Sequence, residues 1–72
     1  MIIEEQIIDI LEEATGHAVT KGTKIDSLDL DSLEFLQLVV DIDTELEIKI
    51  PLEQVTECDT VQDLINLVKS LC

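Results

Sequence analysis

Residues 32–46 place apolar side chains on two separate sides of one helix, and no other stretch restricts the fold of this chain as tightly. On a wheel of about 100° per residue with Leu33 at zero, Phe35, Val39, Ile42 and Leu46 gather between ~180° and ~240°, with Leu38 at their margin. That stripe is what a helix needs to pack on a core. Leu33, Leu36 and Val40 form a second stripe between ~300° and ~360°, and Glu34, Asp41 and Glu45 fill the flank between ~80° and ~120°. Asp31 or Ser32 can accept hydrogen bonds from the free amides at the start of the segment. Beyond its end, Pro51 forbids further helix and pushes Ile50 towards an extended conformation.

The rest of the chain follows the same period. Ile3, Ile7, Leu11 and Ala14, with Ile8 beside them, predict a first helix over residues 2–14 that Gly16 stops. Residues 16–31 hold both glycines and no clean period, which predicts a loop pinned by Ile25 and Leu28. Leu52 to Thr56 has room for one short helical turn. Asp59-Thr60-Val61-Gln62 reads as a capping box before a last helix whose buried stripe is Val61, Leu64, Ile65, Val68 and Leu71, with Lys69 near its negative end. Three substantial helices and a minor one make a small all-α bundle, and 72 residues make one domain. With Phe35 the sole aromatic residue, the core is aliphatic, and so short a chain has little material for the walls of a catalytic pocket.

Charge narrows the partners. Seventeen acidic residues against four basic ones give −13, which excludes the phosphate backbone of a nucleic acid and disfavours anionic lipid. A basic protein patch is the natural complement, while solubility alone is the plain alternative. The longest apolar runs are two or three residues, so no membrane insertion is expected. Met1-Ile2-Ile3 runs straight into Glu4 and Glu5 without a basic leader; with no CxxC pair, free thiols in a cytoplasmic setting are expected, Cys58 packed near the last helix and Cys72 exposed. A lone His17 supports neither a zinc site nor a nucleophile pair. Asp41-x-Asp43-x-Glu45 starts like a calcium loop but continues with Leu46 and Leu52 where such loops carry Gly and Glu.

An amphipathic helix in a small bundle needs only one apolar stripe. Either the loop 16–31 buries Leu33, Leu36 and Val40, or they stand exposed beside Glu34, Asp41 and Glu45 as a protein-docking patch with an apolar centre and a charged rim.

Leu28-Asp29-Leu30-Asp31-Ser32-Leu33-Glu34-Phe35, then the two-faced helix, Ile50-Pro51 and Asp59-Thr60-Val61-Gln62-Asp63-Leu64, closely resembles the acyl carrier protein family. The resemblance runs continuously through about the last three-fifths of the chain. It implies a four-helix bundle, three longer helices and one short, whose Ser32 hydroxyl bears a covalent 4′-phosphopantetheine arm. A phosphopantetheinyl transferase would install the arm from coenzyme A with Mg²⁺, Asp31 helping to hold that ion. The arm would carry acyl groups as thioesters among ligases, ketosynthases and similar enzymes, in fatty-acid, lipid or polyketide-type synthesis. The helix after the serine is the docking surface in that family, matching Leu33, Leu36 and Val40 for apolar contact and Glu34, Asp41 and Glu45 for charge. Asp26-Ser27-Leu28 repeats the tripeptide, but no helical period follows it. Many members carry Gly where Asp29 stands, and Gln37 and Thr44 replace acids often found along the helix. The serine pattern fits an aminoacyl or peptidyl carrier equally. An ordinary N-cap serine in a monomeric acidic adaptor that never carries cargo is the reading from a different class.

Overall fold

The computed structural model describes residues 2–71, so the thiol expected at Cys72 lies outside the described residues. The elements are α1 (Ile3–Thr15), α2 (Ser32–Leu46), α3 (Leu52–Val55) and α4 (Val61–Leu71), with a 3-10 turn at Ile25–Leu28. α1 begins and ends one residue later than its period suggests, because Thr15 still turns helically before Gly16 takes φ 72 and its amide donates to the Glu12 carbonyl at 2.8 Å. That left-handed stop is one that glycine adopts without steric penalty.

α1 packs on both α2 and α4, and α3 on α4. Gln6 and Asp9 share a depression with Glu45, whereas Ala14 shares one with Glu34 and Gln37, so α1 and α2 run antiparallel. Among the described residues the buried core is aliphatic: Ile7 and Leu11 from α1, Leu38, Val39 and Ile42 from α2, Val55 from α3, Val61, Leu64, Ile65 and Val68 from α4, and Val19, Leu28 and Ile50 from the connections. Ala14 and Leu71, expected in buried stripes, are exposed. Phe35 and Leu46 are half-buried against the core, and Leu38, expected at the margin of its stripe, is sealed inside it. All three lie at suitable angles on the wheel. Phe35 and Leu46, however, occupy the first and last turns of α2, and Leu38 lies nearer its middle.

The connection over residues 16–31 is more ordered than a loop. Val19 and Leu28 anchor it in the core, and the Val19 amide donates to Glu12 Oε2 at 3.0 Å. Lys24 and Thr60 form an antiparallel bridge. Around it Ile25 N donates to the Asp59 carbonyl, Val61 N to that of Thr23 and Gln62 N to that of Lys21, each at 2.9 Å. The segment is thereby zipped to the entrance of α4. The capping box there sits one residue later than expected. Asp63 N donates to Thr60 Oγ1 at 3.2 Å, and Asp63 Oδ2 accepts from the amides of Thr60 and Asp59. Gln62 instead donates from Nε2 to Asn66 Oδ1. The Asp59 and Thr60 amides hold the Asp63 carboxyl below its ordinary range.

Two ion pairs close the other end. Glu4 receives Lys21 and Lys69, each at 2.8 Å, tying the start of α1 to the connection and to the last turn of α4.

Candidate functional site

The start of α2 is built by a reciprocal cap. Asp31, with extended backbone, accepts from the Glu34 amide on Oδ1 at 2.8 Å, and its own amide donates to Glu34 Oε1 at 3.4 Å. Helical bonding begins with Phe35 N donating to the Asp31 carbonyl at 2.9 Å. Glu34, expected only as a docking charge, therefore also holds the helix end. The Asp-x-x-Glu spacing of Asp31 and Glu34 is the sequence signal of such a box. The amides of Ser32 and Leu33 have no acceptor among the described residues.

Ser32 occupies the first helical position and is exposed, and its hydroxyl makes no hydrogen bond among the described residues. The other two serines differ. Ser27 Oγ donates to the Lys24 carbonyl at 2.6 Å within the 3-10 turn, and Ser70 Oγ to the Leu67 carbonyl at 2.7 Å. A free hydroxyl beside unpaired amides at the positive end of a 15-residue helix suits the attachment of a phosphate, whose charge those amides favour. Asp31 uses Oδ1 for the cap, so its carboxylate is fixed one residue from that hydroxyl.

Three residues before Ser32, Asp29 takes φ 58 and ψ 38 as the chain leaves the 3-10 turn. This is the left-handed region where Gly is cheapest and which Asp tolerates better than most residues. Asp29 thus adopts here the backbone conformation that a glycine would adopt without penalty.

Beside Ser32 lies an open depression of about 310 Å³, walled by Ile25, Leu30, Phe35, Val55 and Cys58, with Asp26, Asp31 and Thr56 at its polar edge. It draws on the 3-10 turn, the start of α2 and the end of α3. Its walls come from segments up to 33 residues apart, and no local pattern announces them. Cys58, expected in the core, is half-buried here, with Sγ 3.5 Å from the Gln54 carbonyl; burial and the carboxylates of Asp63, Asp59 and Glu57 push its thiol up.

The second stripe of α2 is uncovered. Leu33 is 77% exposed, Val40 52% and Leu36 41%, forming a ridge that leads away from Ser32. The zipped connection does not bury it. Glu34, Asp41 and Glu45 are exposed on the flank that faces α1, with Gln37 Nε2 donating to Asp41 Oδ1 at 3.2 Å. Ser32, the apolar ridge and the acidic flank singled out in the sequence therefore lie on one helix, all exposed. No helix among the described residues is long and apolar enough to cross a membrane.

The family model described as phosphopantetheine attachment site matches residues 5–68. The chain is 32% identical over 73 residues to the acyl carrier protein of Lactococcus lactis subsp. cremoris, with 97% of each chain covered. It is 27% identical over 73 residues to the acyl carrier protein of Clostridium acetobutylicum, covering 96% of this chain and 95% of the other. An all-helical bundle, a phosphopantetheine-attachment match over most of its length and these full-length likenesses place this chain in the acyl carrier protein family, whose members are not enzymes but bear 4′-phosphopantetheine and are acted on by enzymes.

Proposed function

We propose that this chain is a free-standing acyl carrier whose 4′-phosphopantetheine is attached at Ser32, serving fatty-acid, lipid or polyketide-type biosynthesis in the cytoplasm. The observation that carries the assignment is the Ser32 hydroxyl. It is exposed, free of intramolecular partners and set at the first position of a long helix, while Ser27, in the competing Asp-Ser-Leu, spends its hydroxyl on the Lys24 carbonyl.

The surroundings fit the arm. The amides of Ser32 and Leu33 have no other acceptor, and the neighbouring depression is open to a flexible chain. Bound there, the arm supplies a thiol that holds cargo as a thioester. The contribution of the protein is positional. The Asp31–Glu34 cap keeps the helix end formed, and the carboxylate of Asp31 stands ready for the metal ion of a transferase. On transfer from coenzyme A, Ser32 Oγ loses its proton and forms the new P–O bond, and adenosine 3′,5′-bisphosphate leaves. The ridge of Leu33, Leu36 and Val40, with Glu34, Asp41 and Glu45 beside it, is the docking surface for basic patches on the transferase, ligases and ketosynthases.

Intact mass after incubation with coenzyme A and a promiscuous phosphopantetheinyl transferase tests the site. Wild type and Ser27→Ala gain one phosphopantetheine, and Ser32→Ala gains none. A labelled Ser32→Ala protein would refute the assignment.

A further inference from the structure

Past the end of α2 that is remote from Ser32 lies an apolar depression whose charges differ from those elsewhere on the molecule. It has a volume of about 620 Å³ and is walled by Ile50, Pro51 and Leu52, which lead into α3, and by Leu71 in the last turn of α4. Leu52 is 50% exposed and Leu71 38%, and neither packs against the core cluster. Lys49 and Glu53, both exposed, complete the lining. The depressions between α1 and α2, beside Glu34 and beside Ser32 are lined by carboxylates without a lysine. Both ion pairs among the described residues go to Glu4, so Lys49 and Glu53 form none within the chain.

We propose that this depression receives the same patch of a second copy of the chain, related to the first by a two-fold axis. A two-fold contact makes every pairing reciprocal, so Lys49 of each copy meets Glu53 of the other while Leu52 and Leu71 of both fill the apolar centre. Charge selects this occupant. A basic partner would be repelled by Lys49 and an acidic one by Glu53, whereas a surface with the same two charges in reciprocal order satisfies both. A second copy supplies that surface. The net charge of −13 opposes pairing elsewhere, but at about 0.15 M salt the screening length of about 8 Å confines the repulsion to carboxylates near the contact. Six lining residues per copy, against the roughly 20–30 of a standard interface, make the pair weak, with a Kd on the order of 0.1 mM. Ser32 opens α2 and the patch lies beyond its last turn, so each copy keeps Ser32 free while paired.

Sedimentation equilibrium of the phosphopantetheine-bearing chain under reductant, from about 10 μM to about 1 mM at about 0.15 M salt, tests the pairing. The weight-average mass rises from one chain towards two and does not pass two. Leu52→Ser/Leu71→Ser, which leaves the charge unaltered, stays monomeric throughout. Lys49→Glu weakens association about tenfold, whereas Lys24→Glu, outside the patch, weakens it less than about threefold. Each of these changes takes the formal charge from −13 to −15, so net charge is matched. Lys49→Glu/Glu53→Lys restores −13 with the pairs reversed and returns association to within about twofold of wild type. Melting temperature checks that each variant folds, and the charge reversal decides alone should the leucine variant unfold. A wild type still monomeric at the highest concentration would overturn the proposal and leave the depression to a different protein. Growth beyond two chains, association kept by a folded Leu52→Ser/Leu71→Ser, equal weakening by Lys49→Glu and Lys24→Glu, or no recovery on charge reversal would overturn it as well. The contact does not involve Ser32, so its failure leaves the carrier assignment standing.

Discussion

Leu36 and Leu38 lie two residues apart on α2 and respond oppositely to the same truncation. Leu38 is 2% exposed within the core, and Leu36 is 41% exposed on the ridge. Leu→Ala removes three carbons. At Leu38 their lost transfer free energy, about 2.4 kcal/mol at ~0.8 per methylene, is joined by a cavity that the closed bundle cannot fill, giving about 3 kcal/mol. A domain of this size holds roughly 4–11 kcal/mol in all, so Leu38→Ala lowers the melting temperature by about 12 °C or more. At Leu36 the atoms removed are the outer ones of a side chain already facing water, the gap stays open to solvent, and alanine favours the helix slightly more. The cost is then below about 1 kcal/mol. Urea denaturation of both variants measures this. Acyl loading by a thioester-forming ligase, assayed well below either midpoint, should fall for Leu36→Ala and hold for Leu38→Ala. A loss above about 2 kcal/mol at Leu36 would mean that the ridge is buried in solution, and the docking surface would go with it.

Two further outcomes follow from the ends of the helices. The hydrogen bond and charge of Lys21, then those of Lys69, lower the Glu4 carboxyl from 4.5 to about 2, so its contribution is complete above about pH 4.5 and declines as the pH falls from there towards 2. The stability difference between wild type and Glu4→Gln, from urea midpoints at successive pH values, should be flat above pH 5 and shrink below about 4.5; a difference constant down to pH 3 would contradict the clamp. Glu47 ends α2 at φ 55 with a carboxylate at the negative helix pole. Glu47→Gly should stabilise by about 0.5–1 kcal/mol and Glu47→Gln, which relieves only the charge, by about half as much. Equal gains would show that the left-handed backbone carries no strain.

Much of this architecture is legible in the sequence. α2 spans Ser32 to Leu46 as its period predicts, because a capping acid before it and a proline beyond it leave the backbone little choice. Ser32 stands out through the sequence around it, and Gly16 through its place after the last apolar residue of α1. A helical wheel, however, records angle and discards position along the axis. It therefore places Phe35 and Leu46 inside the stripe and Leu38 at its margin, although the first two lie in the end turns of α2 and are only half-buried.

Local sequence determined which segments are helices, where each begins and stops, and which serine heads the longest one, since those outcomes depend on hydrogen bonds and backbone angles within a few residues. Tertiary structure alone decided that Leu33, Leu36 and Val40 face water. The connection 16–31 had two apolar destinations, and its backbone bonds to the entrance of α4, with Val19 and Leu28 sunk in the core, drew it away from that side of α2. The meeting of Leu52 and Leu71 has the same origin: a face acquires its neighbours from packing between elements distant in the chain.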